Sequence, residues 1–280
     1  MSRIFSQAWN NYELIDAGGN KKLERWGNFV TIRPDRNAYF SPVLNEKEWH
    51  SKAHFEFVEE NKSKGYWKVL KINTPQDWII NYNSVRFNLQ LTKYKHIGLF
   101  PEQQLNWEFL ENNIKGGDRL LNLFGYTGAA SVVAREKGAD VFHCDSVKQV
   151  INWAKTNMEM SNLSDIHWVL EDAIKFAQRE LKRGRSYDGI IMDPPAFGIG
   201  AKKERWKIED RFHELLSIAL GLKNKNGFII ANTYSPRLEI DEITKIAQSL
   251  CSRESVEVGT LSIMSTTKKI LEYGQRTLIR

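Results

Sequence analysis

The chain has 280 residues, 41% of them hydrophobic, with a formal net charge of +6 and a pI near 9.1. That length gives room for one large domain and a small one around real cores, and the basic balance favours an anionic partner. Two cysteines without CxxC or Cys/His spacing exclude a disulfide framework and predict no metal centre. No apolar run approaches the roughly 20 residues of a membrane helix and no signal-peptide core opens the chain, so a cytoplasmic protein is expected.

The charge is uneven. Residues 1–95 hold 15 Lys+Arg against 10 Asp+Glu and five of the nine Trp, whereas residues 96–280 hold 25 against 24. The front stretch reads as short strands at Tyr12–Asp16, Leu23–Arg33 with a bend at Gly27, Tyr66–Ile72 and Val85–Leu91. This predicts a small β-rich domain over 1–95. Its aromatics either form a substrate platform or fill a small core. Residues 96–113 read as a hinge and a helix from Leu105, stopped by Gly116-Gly117.

From 118 onward, strands alternate with helices, the pattern of an open, mostly parallel α/β sheet. The expected strands are Leu120–Phe124, Val141–Cys144, Ile166–Leu170, Gly189–Met192 and Phe228–Ala231. Helices follow at Ala129–Lys137, about Lys148–Ser161, to about Leu181, Glu209–Leu222 and about Asp241–Ser252. Glu257–Ser262 and Ile270–Leu278 have no helix between them and read as an antiparallel closing pair. The fold class predicted for 96–280 is thus a Rossmann-like sheet of seven strands.

In such sheets ligands sit beyond the carboxyl ends of the strands. There stand the turn Asn122, Phe124, Gly125, Tyr126, Thr127 and Gly128; then Asp145 and Ser146; Asp172 and Ala173; and Asp193, Pro194, Pro195 and Phe197. Asp145 is placed to accept from ribose hydroxyls and Asp172 from an adenine amine. A dinucleotide site wants GxGxxG so that a helix N-terminus can meet a pyrophosphate. Here Tyr126 and Thr127 separate the glycines and the third glycine is absent. S-adenosyl-L-methionine has no phosphate to cradle, tolerates the looser turn, and suits the antiparallel closing pair. In Asp193-Pro194-Pro195-Ala196-Phe197 the prolines stiffen a loop that aims a carboxylate and carbonyls at a planar nitrogen. Phe197 offers a stacking face.

These motifs resemble those of bacterial class I S-adenosylmethionine-dependent methyltransferases, and most closely the 23S ribosomal RNA large-subunit group, over about residues 95–280. One branch of that group makes 5-methylcytosine and another 7-methylguanine. The resemblance extends to Gly98-Leu99-Phe100-Pro101-Glu102-Gln103-Gln104, where the family reads GxFxDQR and helps hold the cofactor; it implies cofactor roles for Phe100 and Gln103, with Gln104 replacing the Arg. The front domain resembles that of uncharacterised members of the group and not an RNA-binding PUA domain.

The 5-methylcytosine branch carries its nucleophilic Cys in a Ser-Cys-Ser turn. The matching stretch is Thr233-Tyr234-Ser235. Cys144 falls on a strand and Cys251 on a late helix, so a covalent cytosine mechanism is disfavoured. Methylation at nitrogen needs only a lone pair in line with the methyl donor. The expected function is therefore methylation of ribosomal RNA at a base nitrogen. The alternatives are a protein or small-molecule nitrogen, or a non-catalytic RNA-binding module with a relic cofactor site. Lys202, Lys203, Arg205 and Arg237 are candidate RNA contacts beside Tyr234 and Phe197. His143 and His167 are expected to pack along core strands.

Overall fold

The computed structural model describes residues 2–60, 64–199, 205–251 and 255–280. In chain order the elements begin with β1 (Arg3–Ser6), β2 (Tyr12–Gly18), β3 (Lys21–Trp26), β4 (Phe29–Pro34), α1 (Glu46–Lys52), β5 (Phe55–Glu59), β6 (Gly65–Val69), β7 (Asp77–Tyr82) and β8 (Val85–Gln90). A 3-10 turn at Pro101–Gln103 leads into α2 (Gln104–Asn113), β9 (Arg119–Leu123), α3 (Ala129–Glu136), β10 (Asp140–Asp145), α4 (Lys148–Met160), β11 (Ile166–Leu170), α5 (Ala173–Lys182) and β12 (Tyr187–Met192). A short pair, β13 (Phe197–Ile199) and β14 (Arg205–Lys207), precedes α6 (Ile208–Leu222), β15 (Lys223–Thr233), α7 (Ile240–Leu250), β16 (Val256–Met264) and β17 (Ile270–Ile279). Among the described residues no helix is long and apolar enough to cross a membrane.

The chain divides into two compact units. One comprises 1–4, 106–261 and 274–280; the other comprises 5–105 and 262–273. The boundary read from the sequence at 95 therefore differs from the observed division. The front unit keeps the segment to Leu105 and takes in the tip of the C-terminal hairpin, whose Thr266 and Thr267 bond to β2. Thr267 Oγ1 donates to Asp16 Oδ1 at 2.6 Å, and the Thr266 N–H donates to the Leu14 carbonyl at 2.9 Å.

In the larger unit, eight strands order as β1-β16-β17-β15-β12-β9-β10-β11. These are the seven expected strands plus β1, which the sequence reading did not assign. β9 pairs in parallel with β10 and β12, β12 with β15, and β15 runs antiparallel to β17. Apolar side chains from β9, β12 and β15 meet α5, α6 and α7 in one core that includes Leu121, Ile190, Phe212, Leu216 and Ile229. Lys225-Asn226-Gly227, which the sequence predicts as a turn between the Glu209–Leu222 helix and the Phe228–Ala231 strand, lies inside β15, where pairing jumps from Tyr187↔Lys223 to Gly189↔Phe228.

The front unit holds a five-stranded sheet, β2-β3-β4-β5-β6, and the hairpin β7–β8. β4 and β5 are parallel, joined across α1. That helix opens with a capping box between Asn45 and Glu48 and buries Trp49 against Leu23, Val30 and Ile32. Trp26, Trp49 and Trp78 are buried, so three of the front tryptophans fill core. A polar network is buried there too. Arg33 donates from Nε and Nη2 to Glu24 Oε2, the Tyr12 hydroxyl donates to Glu24 Oε1, and Lys22 pairs with Glu24 and Asp35. Glu102, 3% exposed, adds a carboxyl that burial pushes up to about 7.

Candidate active site

The strand order reverses between β9 and β12, the place in such sheets where the loops following the strands hold a ligand. After β9 the backbone turns sharply. Phe124, Tyr126 and Gly128 have φ of 58°, 49° and 82°. Two non-glycine residues in the left-handed region mark a turn held by its surroundings. A Cβ on Gly125 would stand 2.4 Å from the His143 ring, so only glycine lets the turn lie on that ring. Gly128 begins α3 at a φ that favours glycine, and a Cβ there would stand 2.8 Å from Ala154 Cβ.

His143 is the floor of this turn. It is fully buried, and burial pushes its imidazole down to about 3, so it is neutral at pH 7. Ser131 Oγ lies 2.9 Å from its Nδ1, and the Asn122 amide donates to Ser131 Oγ at 2.8 Å. Asn122 is thus a buried tie beneath the turn. From the other side the Asn157 amide donates to the Thr127 carbonyl at 2.9 Å. His143 packs as expected. His167 does not: its side chain is 55% exposed on the edge strand β11, with Nε2 2.8 Å from Asp140 Oδ1.

Asp145 ends β10 and grips the same turn. Its Oδ2 accepts from the Tyr126 N–H at 3.0 Å and its Oδ1 from the Val147 N–H at 2.9 Å. Burial raises its pKa, and the backbone donors at Val147, Tyr126 and Ser146 oppose that rise. Each oxygen keeps lone-pair capacity beyond its backbone donor. Ser146 is exposed beside it. Asp172 is exposed and caps α5, accepting from the Lys175 N–H at 2.9 Å, while Ala173 is buried in the core. Phe100 and Gln103 belong to the front unit.

After β12 the Asp193 N–H extends the ladder to the Leu123 carbonyl at 3.3 Å. Asp193 is partly buried, Pro194 buried and Pro195 exposed. The Pro195 carbonyl, one of those expected to face a substrate, is held by Trp206, whose Nε1 donates to it at 2.6 Å. The Trp206 ring also lies 5.4 Å from that of Phe124. One indole therefore touches both loops of the cleft. The sequence reading missed this, because Trp206 reaches Pro195 only through the β13–β14 pairing of Phe197 with Lys207. Phe197 is 56% exposed and Arg205 is exposed; Lys202 and Lys203 lie outside the described residues. Tyr234 is partly buried, at a site where a Cβ on Gly274 would stand 2.8 Å from its ring. Ser235 donates to Glu209, and Arg237 is exposed.

The donor set suits a cationic sulfonium cofactor. Three carboxylates, Asp145, Asp172 and Asp193, stand at successive strand ends, and no Lys or Arg occurs from 120 to 134 to meet a pyrophosphate. The family model described as S-adenosylmethionine-dependent methyltransferase matches residues 57–259. The chain belongs to this family.

The methyltransferase is 32% identical over 181 residues to the ribosomal RNA large subunit methyltransferase K/L of Shewanella sp. strain MR-4, covering 63% of this chain and 25% of that protein. It is 29% identical over 183 residues to the ribosomal RNA large subunit methyltransferase K of Neisseria meningitidis serogroup B, covering 60% and 51%. The chain therefore spans a quarter to a half of the length of these relatives. A solved S-adenosylmethionine-dependent methyltransferase from Agrobacterium tumefaciens superposes with a TM-score of 0.92 at 31% identity, covering 99% of this chain and 93% of that one.

Proposed function

We propose that this methyltransferase modifies a base nitrogen of large-subunit ribosomal RNA. The observation that carries the choice of nitrogen is the state of the two cysteines. Cys144 and Cys251 are both buried, and burial pushes the Cys144 thiol up to about 12, so neither supplies a thiolate to attack a pyrimidine ring. Tyr234 stands where the cytosine branch carries its nucleophile. The ribosomal RNA substrate is supported by the relatives at 29–32% identity, which are named as ribosomal RNA large subunit methyltransferases. A cytoplasmic location follows from that substrate.

When bound, S-adenosylmethionine supplies an electrophilic methyl group. Asp145 and the Phe124–Gly128 turn hold the cofactor's polar groups, with Asp172 at the far end. Asp193 accepts a hydrogen bond from the target base and fixes its ring plane. For an exocyclic amine its carboxylate also stabilises the positive charge that develops on the nitrogen and accepts the proton the amine releases. Phe197 stacks on the base and excludes water from the attacking lone pair. Arg205 and Arg237 meet flanking phosphates. The front unit adds a basic aromatic surface, where exposed Tyr66 and Tyr94 accompany Lys68 and Lys93. The reading is tested by mass mapping of ribosomal RNA methylated in vitro by the purified protein. Transfer to a protein or to a free small-molecule amine, with none to RNA, would replace it.

A further inference from the structure

We infer that a second cleft, at the amino-terminal end of the parallel strands, binds an unpaired nucleotide of the substrate RNA. The inference rests on the RNA reading above and concerns where the substrate is held, away from the chemistry. The cleft has a volume of about 570 Å³ between α5 and the edge strand β11. That is the size of a small-ligand pocket. It lies at the edge of the sheet, where β11 is the outermost strand among the described residues.

Its floor is apolar, formed by Phe142, Val169 and Phe176. The His167 ring stacks on Phe142, with centroids 4.3 Å apart and planes 19° apart, and its side chain is half exposed. An exposed, stacked aromatic pair is a platform to which a base adds without rearrangement.

Its rim is cationic. Arg119, Arg183 and Arg185 line the cleft beside two carboxylates, Asp140 and Glu180. Both carboxylates are already engaged. Asp140 meets His167 and Arg119, and Glu180 accepts from the Tyr187 hydroxyl at 2.8 Å and pairs with Arg183 at 3.0 Å. Arg119 is fixed over the rings of Phe142 and Tyr187. Arg185 is exposed and has no acidic partner among the described residues. The excess charge thus lies with Arg185, beside the paired Arg183 on the rim of the apolar floor. A cation and a stacking face lining one cleft offer contacts for the phosphate and the base of one nucleotide. The cleft is open to solvent, so a strand can enter and leave it. A five-residue strand spans about 17 Å, which places this nucleotide several positions along the RNA from the target base.

The test compares the intact wild-type protein with Arg183→Gln/Arg185→Gln and with His167→Ala. Binding of a fluorescent single-stranded octaribonucleotide is measured across a salt series, together with methyl transfer to large-subunit RNA and calorimetric binding of S-adenosylhomocysteine. The double variant is expected to bind RNA about 10-fold more weakly, with a salt slope lower by about 1 to 2. KM for RNA rises by a similar factor while kcat and S-adenosylhomocysteine affinity hold. His167→Ala weakens binding about fivefold and leaves the salt slope unchanged. Wild-type affinity and slope in the double variant, with RNA methylation intact, would overturn the cleft and leave the RNA reading standing. A wild-type protein that neither binds the oligonucleotide nor methylates RNA removes both. Adenosine 5′-monophosphate bound at Arg183 and Arg185, with no change in RNA affinity, also overturns it.

Discussion

The Trp206 indole N–H and the Pro195 carbonyl, 2.6 Å apart, join the loop after β12 to β14. Because the same ring packs against Phe124, the turn after β9 and the Asp193 loop share one support. Trp206→Phe keeps the packing and removes the donor. A lost hydrogen bond of this kind is worth about 1 kcal/mol, and a displaced loop costs more in rate than in binding. The expected outcome is a roughly 10-fold fall in kcat with S-adenosylhomocysteine affinity within twofold of wild type. Equal losses in both would show that Trp206 only holds the fold.

Asp145 holds the turn, and the proposed function also assigns it to the cofactor. Asp145→Asn turns one acceptor into an N–H donor facing the backbone N–H of Tyr126 or Val147. An unsatisfied donor pair costs about 1–3 kcal/mol. Calorimetry should show S-adenosylmethionine binding weakened 10-fold or more. Unchanged affinity would remove Asp145 from the cofactor site.

Gly125 and His143 form a testable pair. Gly125→Ala places a Cβ 2.4 Å from the imidazole and should lower the melting temperature by several degrees. His143→Ala opens a cavity and also destabilises. The double variant should be more stable than the sum of the two predicts, because the added methyl enters the vacated space. A double-mutant cycle measures this coupling, and additivity would show that the turn does not rest on the ring.

These carboxylates and glycines were legible because each follows an apolar run long enough to read as a strand. Trp206 was not, since its role depends on a hairpin of two three-residue strands with no periodicity to detect. His167 misled for the opposite reason. It sits in an apolar run, yet the run is the sheet's edge, and edge position is a property of strand order that no local pattern encodes. In the front unit the alternation of Val85–Gln90 was readable, whereas α1, packed by one tryptophan, left only its capping box as a signal.

Glu102 gives the front unit a pH dependence of known sign. Its folded carboxyl is pushed up by burial to about 7 from an ordinary 4.5. The acid is therefore favoured in the folded state, and its contribution is complete below pH 4.5 and lost as pH rises through 7. Glu102→Gln should be more stable relative to wild type at pH 8 than at pH 4.5, by up to about 3 kcal/mol. Thermal melts of both proteins at the two pH values check this, and a pH-independent difference would show that the carboxyl titrates normally.

Cys144→Ser/Cys251→Ser should retain methyl transfer, measured with S-adenosylmethionine carrying a labelled methyl group. Loss of activity with cofactor binding intact would restore a covalent mechanism.

The bonds from the 262–273 hairpin to β2 and β3 have a consequence for synthesis on the ribosome. Lys22 reaches the Tyr273 hydroxyl, and Asp16 reaches Thr267, across 251 residues of chain. The front unit is translated before residues 262–273 but receives its last buried partners only after 251 further residues have been added. At about 5–20 residues per second that interval is roughly 12–50 s. Nascent chains halted before residue 262 should therefore present an incomplete front unit to chaperones and proteases, even though its 100 leading residues are already outside the exit tunnel.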